Sequence, residues 1–301
     1  MKILNLGSLN LDKVYHVDHF VQPGESLGVS RLETFCGGKG LNQSTALARA
    51  GAEVSHLGAV GADGAELVRT LADSGVDVHL IRVLDTVSGH AVIQITPEGQ
   101  NGILIFGGAN LQISQQSVDR ALALFSPGDL LLLQNETSQG EYAMRQAKQK
   151  GLLVAMNPSP ISEELFRFPL ELADYLILNE TEGAALSGFP STEPEKVLEG
   201  LCRKFPKSVI VLTLGAGGVL CRAEGQTFRC GACRVPVVDT TAAGDTFCGY
   251  FLSGVAKGLP VPEILRISSV AGGLAVSREG ASNSIPDWEE VIRSDLTPQN
   301  R

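Results

Sequence analysis

Of the 301 residues, 44% are apolar and 19% charged, a composition that buries a core and excludes an intrinsically disordered chain. Lys plus Arg number 24 and Asp plus Glu 33, a formal charge of -9 with no basic cluster, so no nucleic-acid partner is expected. Apolar runs such as 130–133 and 209–212 fall far short of the ~20 residues a membrane span needs, and the opening Met1-Lys2-Ile3-Leu4-Asn5-Leu6-Gly7 is too short for the core of an export signal. The expectation is a cytoplasmic chain whose six cysteines are reduced thiols.

Short apolar strands alternate with helical stretches along most of the length. A strand at 3–6 precedes a helix at 42–50, and a strand at 54–59 precedes one at 65–74. A helix at 115–125 leads to a strand at 130–133, followed by a helix at 139–150, strands at 152–156 and 175–178, a helix at 194–204 and a strand at 209–214. Helices at 245–257, 262–277 and 288–293 close the chain. Such alternation, with strands apolar throughout, predicts an α/β fold in which helices cover both faces of a mostly parallel sheet. Segments 14–31 and 88–105 break the pattern with strand-like runs and turns at Pro23-Gly24 and Pro97-Glu98-Gly99. They predict a small antiparallel β lid, inserted from about 12–34 and 88–108 into a single domain spanning 1–301; too small to hold a core, it must cover something or pair its edges with another chain.

Several familiar motifs fail in context. A phosphate-binding GxxxxGK[ST] loop is absent, because Glu33 holds the first glycine position and Gly40 follows Lys39. No GxGxxG occurs, since Gly215 and Gly217 are followed by Leu220. Gly24-Glu25-Ser26-Leu27-Gly28 has the spacing of a hydrolase elbow, without the strand before it and helix after it that the elbow requires. Cys230-Gly231-Ala232-Cys233 has CxxC spacing but lacks a second ligand pair for zinc and the helix start that a redox CxxC uses, so packed thiols are expected. The five histidines show no metal spacing and are expected to be surface or packed imidazoles, with pocket lining under the lid as the alternative for His90.

Four segments carry candidate chemistry. Asp239-Thr240-Thr241-Ala242-Ala243-Gly244-Asp245-Thr246-Phe247 crowds small residues into a turn before a helix, where backbone N–H groups and the helix dipole suit the charge on a transferring phosphoryl group. Asp245 either accepts a proton from an attacking hydroxyl there or simply caps the helix. Gly37-Gly38-Lys39-Gly40-Leu41-Asn42-Gln43 lets a ligand approach the backbone and offers Lys39 and Asn42 to a polyhydroxyl compound, or is a glycine turn into a helix. Asn179-Glu180-Thr181-Glu182 follows a strand, where Asn179 and Glu182 either hold magnesium and its waters or cap a helix. Thr213-Leu214-Gly215-Ala216-Gly217-Gly218 also ends a strand, as a nucleotide loop or a plain hairpin turn.

Taken together with Gly7-Ser8-Leu9-Asn10-Leu11-Asp12 and Asn157-Pro158-Ser159-Pro160, these segments resemble the ribokinase family of PfkB-type sugar kinases, in order and separation, nearly end to end. The resemblance implies a ribokinase-like three-layer α/β/α fold and an ATP-dependent kinase that phosphorylates the primary hydroxyl of a pentose, D-ribose first. Relatives acting on another sugar or a nucleoside, or a non-catalytic binding regulator, are the alternatives. By the same resemblance Asp245 is the catalytic base and Ala242, Ala243 and Gly244 form the anion hole. Asn10, Asp12, Gly38, Lys39, Gly40, Asn42 and Glu136 bind the sugar with Asp245. Asn179, Thr213, Leu214, Gly215, Ala216, Gly217, Gly218, Gly244 and Ser269 contact ATP, and Glu182 acts on magnesium through water. Asp239, Thr241, Ala275, Arg278, Gly280 and Ser284 surround a potassium ion, and the lid makes a homodimer. Leu11, Asn135 and His90 depart from the usual ribokinase residues, which bears on the choice of sugar.

Overall fold

The computed structural model describes residues 1–299. In chain order the strands are β1 (Ile3–Leu6), β2 (Asn10–His16), β3 (Arg31–Gly37), β4 (Val54–Val60), β5 (Ile81–Val83), β6 (Gly89–Ile95), β7 (Asn101–Phe106), β8 (Leu130–Gln134), β9 (Leu153–Asn157), β10 (Tyr175–Asn179), β11 (Val209–Thr213), β12 (Val219–Ala223) and β13 (Gln226–Cys230). The helices are α1 (Lys39–Arg49), α2 (Ala65–Asp73), α3 (Gln115–Leu122), α4 (Gly140–Gln149), α5 (Glu180–Ser187), α6 (Pro194–Lys204), α7 (Ala243–Ala256), α8 (Val261–Val276) and α9 (Trp288–Arg293). The expected elements appear within a few residues of their sequence positions, with one difference that matters to the site. Helix α1 starts at Lys39, three residues before the expected Asn42, so Lys39 lies in its first turn.

Nine strands form one sheet in the order β13-β12-β11-β10-β9-β8-β1-β4-β5. All pairings from β11 to β5 are parallel, and β12 and β13 turn back antiparallel at one edge. Alternation along each strand divides its residues between two cores. In β8, Leu131 and Leu133 pack beneath α3, α4, α5 and α6, while Leu130 and Leu132 pack with α1, α2, α7 and α8 on the other side. This is the three-layer α/β/α arrangement, and it explains why such strands read as unbroken apolar runs.

The order of strands decides where a ligand can bind. From β1 the chain builds outward to β4 and β5, then returns to the other side of β1 and builds β8 through β11. The direction of winding reverses between β1 and β8, and the loops leaving their carboxyl ends diverge there to leave a crevice.

A second sheet of four strands, ordered β3-β2-β6-β7, rises from these loops. Its outer pairs are antiparallel, and β2 and β6 run parallel at its centre. Residues 17–30, between β2 and β3, are an irregular connection containing the turn at Pro23-Gly24. The would-be hydrolase elbow lies in that connection, with neither strand nor helix beside it.

Candidate active site

The crevice between β1 and β8 is built by close backbone packing. Gly40, in the first turn of α1, sits against the exit from β1. A Cβ on Gly40 would lie 2.3 Å from the Ser8 nitrogen, so no larger residue lets the helix approach. The Leu41 N–H donates to the Ser8 carbonyl at 2.9 Å, and Asn5 Nδ2 donates to the Gly40 carbonyl at 2.9 Å. Gly38, just before the helix, has φ of +92°, a left-handed value suited to glycine. Ser8, Gly38, Lys39 and Glu136 meet at this point, where Glu136 accepts from the Ser8 hydroxyl and, at 3.3 Å, from the Lys39 N–H. Burial pushes the Glu136 carboxyl up, against the opposing pull of the Ser8 hydrogen bond and the Lys39 charge.

Asn10 and Asp12 come from the base of the second sheet and share one of its faces, being two residues apart on β2. Two glycines make room for them. A Cβ at Gly37 would sit 1.9 Å from Asp12 Oδ2, and one at Gly89 would sit 2.3 Å from Asn10 Oδ1. Asn110, fully buried, donates to Asn10 Oδ1 at 2.8 Å and accepts from the Leu9 N–H at 3.0 Å. Burial, then the nearby Glu136 charge, pushes the Asp12 carboxyl up to about 7.

Asp245 stands in the first turn of α7 and is 7% exposed. It does not cap that helix. The N-cap is Ala242, in a left-handed conformation at φ 59°, and no side chain caps the turn. The Asp245 carboxylate instead faces α1, accepting from Asn42 Nδ2 at 3.0 Å and Gln43 Nε2 at 2.9 Å, with Lys39 Nζ 4.0 Å away. Burial alone would lower the Lys39 ammonium, but the carboxylates of Asp245, Glu136 and Glu182 outweigh it and hold it above its ordinary value. A carboxylate held in this way at a helix N-terminus can take a proton from a hydroxyl lying between it and Asp12. Beside it, space is open around Gly244, while the Ala243 N–H makes a long 3.3 Å bond to the Thr240 carbonyl.

On the other flank, Asn179 and Thr213 are register partners at the carboxyl ends of β10 and β11. Asn179 and Glu182 form a reciprocal capping box: Asn179 Oδ1 accepts from the Glu182 N–H and Glu182 Oε2 from the Asn179 N–H, each at 2.9 Å. The capping alternative is thus realised, and it uses one oxygen of each side chain. The loop Gly215–Gly217 is a 3-10 turn closed by a 2.8 Å bond from the Leu214 N–H to the Gly218 carbonyl. Gly218 abuts the Cys230 carbonyl, and the hydroxyl of Ser269, on α8, donates to the Cys230 thiol at 3.6 Å. Cys230 therefore props this loop. Burial raises both thiols of the CxxC pair, Cys233 to about 11, as expected for packed cysteines.

Asp239 draws two segments together, accepting from the Thr241 N–H at 2.8 Å and the Gly280 N–H at 3.1 Å. Ala275 and Arg278 are joined by a 3.2 Å backbone bond, and the Ser284 hydroxyl donates to the Ala281 carbonyl at 2.8 Å. Among the described residues, no three His, Cys, Asp or Glu side chains converge to hold a metal ion.

His90 does not line the site. Its register partners are Leu11 on β2 and Phe106 on β7, while Asp12 pairs with Ala91, which pairs in turn with Ile105, so His90 is on the opposite face. Its ring packs 5.2 Å from that of Phe106, and Leu11 packs on the core under α1 and α2. Asn135 donates to the Pro160 carbonyl at 2.7 Å and the Ser162 hydroxyl at 3.0 Å, joining two loops. The sequence reading assigned no role to Ser8, Gly89, Asn110, Gln43 or Gln134. Ser8 and Gln43 lie inside the candidate motifs, Gly89 inside the lid segment 88–105, and Gln134 two residues before Glu136.

The pfkB family carbohydrate kinase profile matches residues 2–288. A ribokinase of Haemophilus influenzae is 34% identical over 297 residues, covering 95% of this chain and 96% of that protein. The crystal structure of a ribokinase from Cryptococcus neoformans in complex with ADP superposes with a TM-score of 0.85 at 35% identity, covering 97% of this chain and 98% of that one. An Arabidopsis thaliana ribokinase complexed with ribose and ATP gives a TM-score of 0.86 at 27% identity, with 97% of each chain covered. On this breadth of match, with the same elements converging on one crevice, the chain belongs to the pfkB family of carbohydrate kinases.

Proposed function

We propose that the protein is an ATP-dependent ribokinase that transfers a phosphoryl group to the primary hydroxyl of D-ribose, with Asp245 as base. The observation that carries this reading is the Asp245 carboxylate, fixed by Asn42 and Gln43 beside Lys39, at the mouth of a crevice that also gathers Asn10, Asp12 and Glu136. In the reaction the sugar oxygen forms a bond to the terminal phosphorus of ATP, the bond from that phosphorus to the bridging oxygen breaks, and ADP carries away the electron pair. Asp245 takes the hydroxyl proton. Asn10, Asp12, Glu136, Asn42, Lys39 and the backbone of Gly38 and Gly40 orient the sugar. Lys39 and the N–H groups of Ala242, Ala243 and Gly244 at the α7 N-terminus lie where phosphoryl charge develops.

Asn179, Ser269 and the 213–218 loop hold the nucleotide. The fit for magnesium is one of few protein ligands: Glu182, with one oxygen left over from its capping bond, would hold the ion through water, and the ion would neutralise phosphate charge. Asp239, Thr241, Ala275, Arg278, Gly280 and Ser284 would hold potassium, which would order the loop leading to Gly244. The four-stranded sheet is a lid on a single kinase domain. Its Asp12 face continues outward as Val14, Ile93, Ile103 and Ile105, and its edge strand β7 exposes residues 103–106, a surface suited to a second copy of the chain. The cysteines are free thiols, which fits a reducing, cytoplasmic setting, and the exposed β7 edge fits a homodimer.

The test is ADP release from ATP with a panel of pentoses, hexoses and nucleosides. D-Ribose should give the highest kcat/KM. A different preferred acceptor would change the substrate, and no acceptor-dependent ADP release would overturn the kinase reading.

A further inference from the structure

Behind Asp245 runs a buried chain of polar side chains. Gln43 Nε2 donates to Asp245 Oδ1 at 2.9 Å and to Asn157 Oδ1 at 3.0 Å. Gln134 Nε2 donates to Gln43 Oε1 at 2.7 Å and to Asn5 Oδ1 at 2.9 Å. Asn5 Nδ2 donates to Ser44 Oγ at 2.8 Å, and Ser44 Oγ lies 2.8 Å from His56 Nδ1. Asn5, Gln43, Ser44, Gln134 and His56 are all 0–1% exposed.

The polarity of this chain has one solution. The His56 Nε2 faces the Gly7 carbonyl at 3.2 Å and must donate to it. Burial pulls the imidazole down to about 4, so it is neutral and its Nδ1 accepts. Ser44 then donates to His56 and accepts from Asn5, which fixes the Asn5 amide. Asn5 Oδ1 in turn fixes Gln134, and Gln134 fixes Gln43 with its nitrogen toward Asp245. An alternative rotamer of Gln43 would set oxygen against carboxylate at one end and strand the buried Gln134 nitrogen at the other.

We propose that Gln43, locked by Gln134 and Asn5, is a positioning residue that sets the direction of the Asp245 carboxylate. The links from Asp245 to Asn5 are amides, which donate hydrogen bonds but carry no transferable proton. The chain therefore aims the base without draining it. The proton taken from the sugar stays at the mouth of the site, where solvent and not the buried amides is its exit.

The inference rests on Asp245 being the base, and the test separates the two. Gln43→Met keeps length and removes the donor; kcat should fall by about 10- to 100-fold, as misplaced reacting groups do, while sugar and ATP affinities stay within about twofold. Gln134→Met should lower kcat less. The double variant should match Gln43→Met alone, because Gln134 reaches Asp245 only through Gln43. Parent-like kcat in Gln43→Met, or full multiplication of the two effects, overturns the proposal. If Gln43→Met loses ATP binding, Gln43→Glu serves: it has the same shape but turns an acceptor on Asp245, and parent-like kcat there overturns the proposal equally. Asp245→Asn is assayed alongside. If it retains turnover, the base assignment falls and the inference with it; if it loses turnover while Gln43→Met does not, only the positioning role falls.

Discussion

Ribose affinity should depend on pH through Asp12. A carboxyl pushed up to about 7 is half protonated near neutrality, and only the ionised form offers both oxygens as charged acceptors to two sugar hydroxyls. If binding takes the ionised form, the apparent Kd grows by the factor 1 + 10^(pKa − pH), which gives about tenfold weaker binding at about pH 6 than at about pH 8. The measurement is calorimetric titration of D-ribose without nucleotide across that range. Glu136 faces Asp12 and is itself raised, with Lys39 beyond it, so Asp12→Asn is the control: it should bind weakly with most of the slope gone. The same shift makes a stability prediction. Because the folded pKa exceeds the unfolded value of 3.8, the folded state holds this proton more tightly, a contribution fully present below about pH 4 and lost as pH rises to about 7. Asp12→Asn should therefore melt above the parent at about pH 8 and close to it at about pH 4. An unchanged Kd between pH 6 and 8 in the parent would refute the placement of an ionised Asp12 on the sugar.

Four further outcomes follow from the site. Asp245→Asn should cut turnover by about 10²- to 10⁴-fold, the usual worth of a positioned base, with ATP Kd unchanged by calorimetry. Gly37→Ala drives a methyl to within 1.9 Å of Asp12 Oδ2, so ribose affinity should drop at least about tenfold, with the far-ultraviolet circular dichroism retained. Activity should rise when potassium replaces tetramethylammonium at equal ionic strength, since screening alone is the same in both salts, and equal rates would remove the cation site. Sedimentation at micromolar concentration should give a dimer that Ile105→Glu converts to a monomer with weaker ribose binding; a fully active monomeric parent would refute the lid contact.

The layered fold was legible because parallel strands buried on both faces leave unbroken apolar runs such as Leu130-Leu131-Leu132-Leu133. The Asp239 to Phe247 and Gly37 to Gln43 segments were legible because small residues cluster where backbone must approach a ligand. Whether Asp245 capped a helix was not legible. That depends on which way its carboxylate turns, and the answer lies 202 residues away in Gln43. Which face His90 takes was not legible for a similar reason: the face of a strand is set by register with its neighbours, and one residue of shift exchanges the faces. Asn110 and Gln134 left no signal, since a lone polar residue beside an apolar run looks like a strand end until its buried partners are known.

The charges of the crevice explain why a sugar suits it and a phosphate must stay at its edge. Three carboxylates, Asp12, Glu136 and Asp245, converge there with the one nearby ammonium of Lys39. Burial first, and the neighbouring carboxylates after it, raise the carboxyls of Asp12 and Glu136. A polyhydroxyl ligand suits them, since each hydroxyl donates to a carboxylate without adding charge, whereas an anion in the same place would add repulsion. Negative charge is favoured at the α7 N-terminus, in whose first turn Asp245 itself stands, with the Lys39 ammonium beside it. In the proposed reading the sugar therefore lies inward with the hydroxyl to be phosphorylated pointing out toward α7. On the same reading, transfer turns a neutral ligand into an anion that Asp245 repels once its proton has passed to solvent, so the carboxylates assigned to the substrate also help to expel the product.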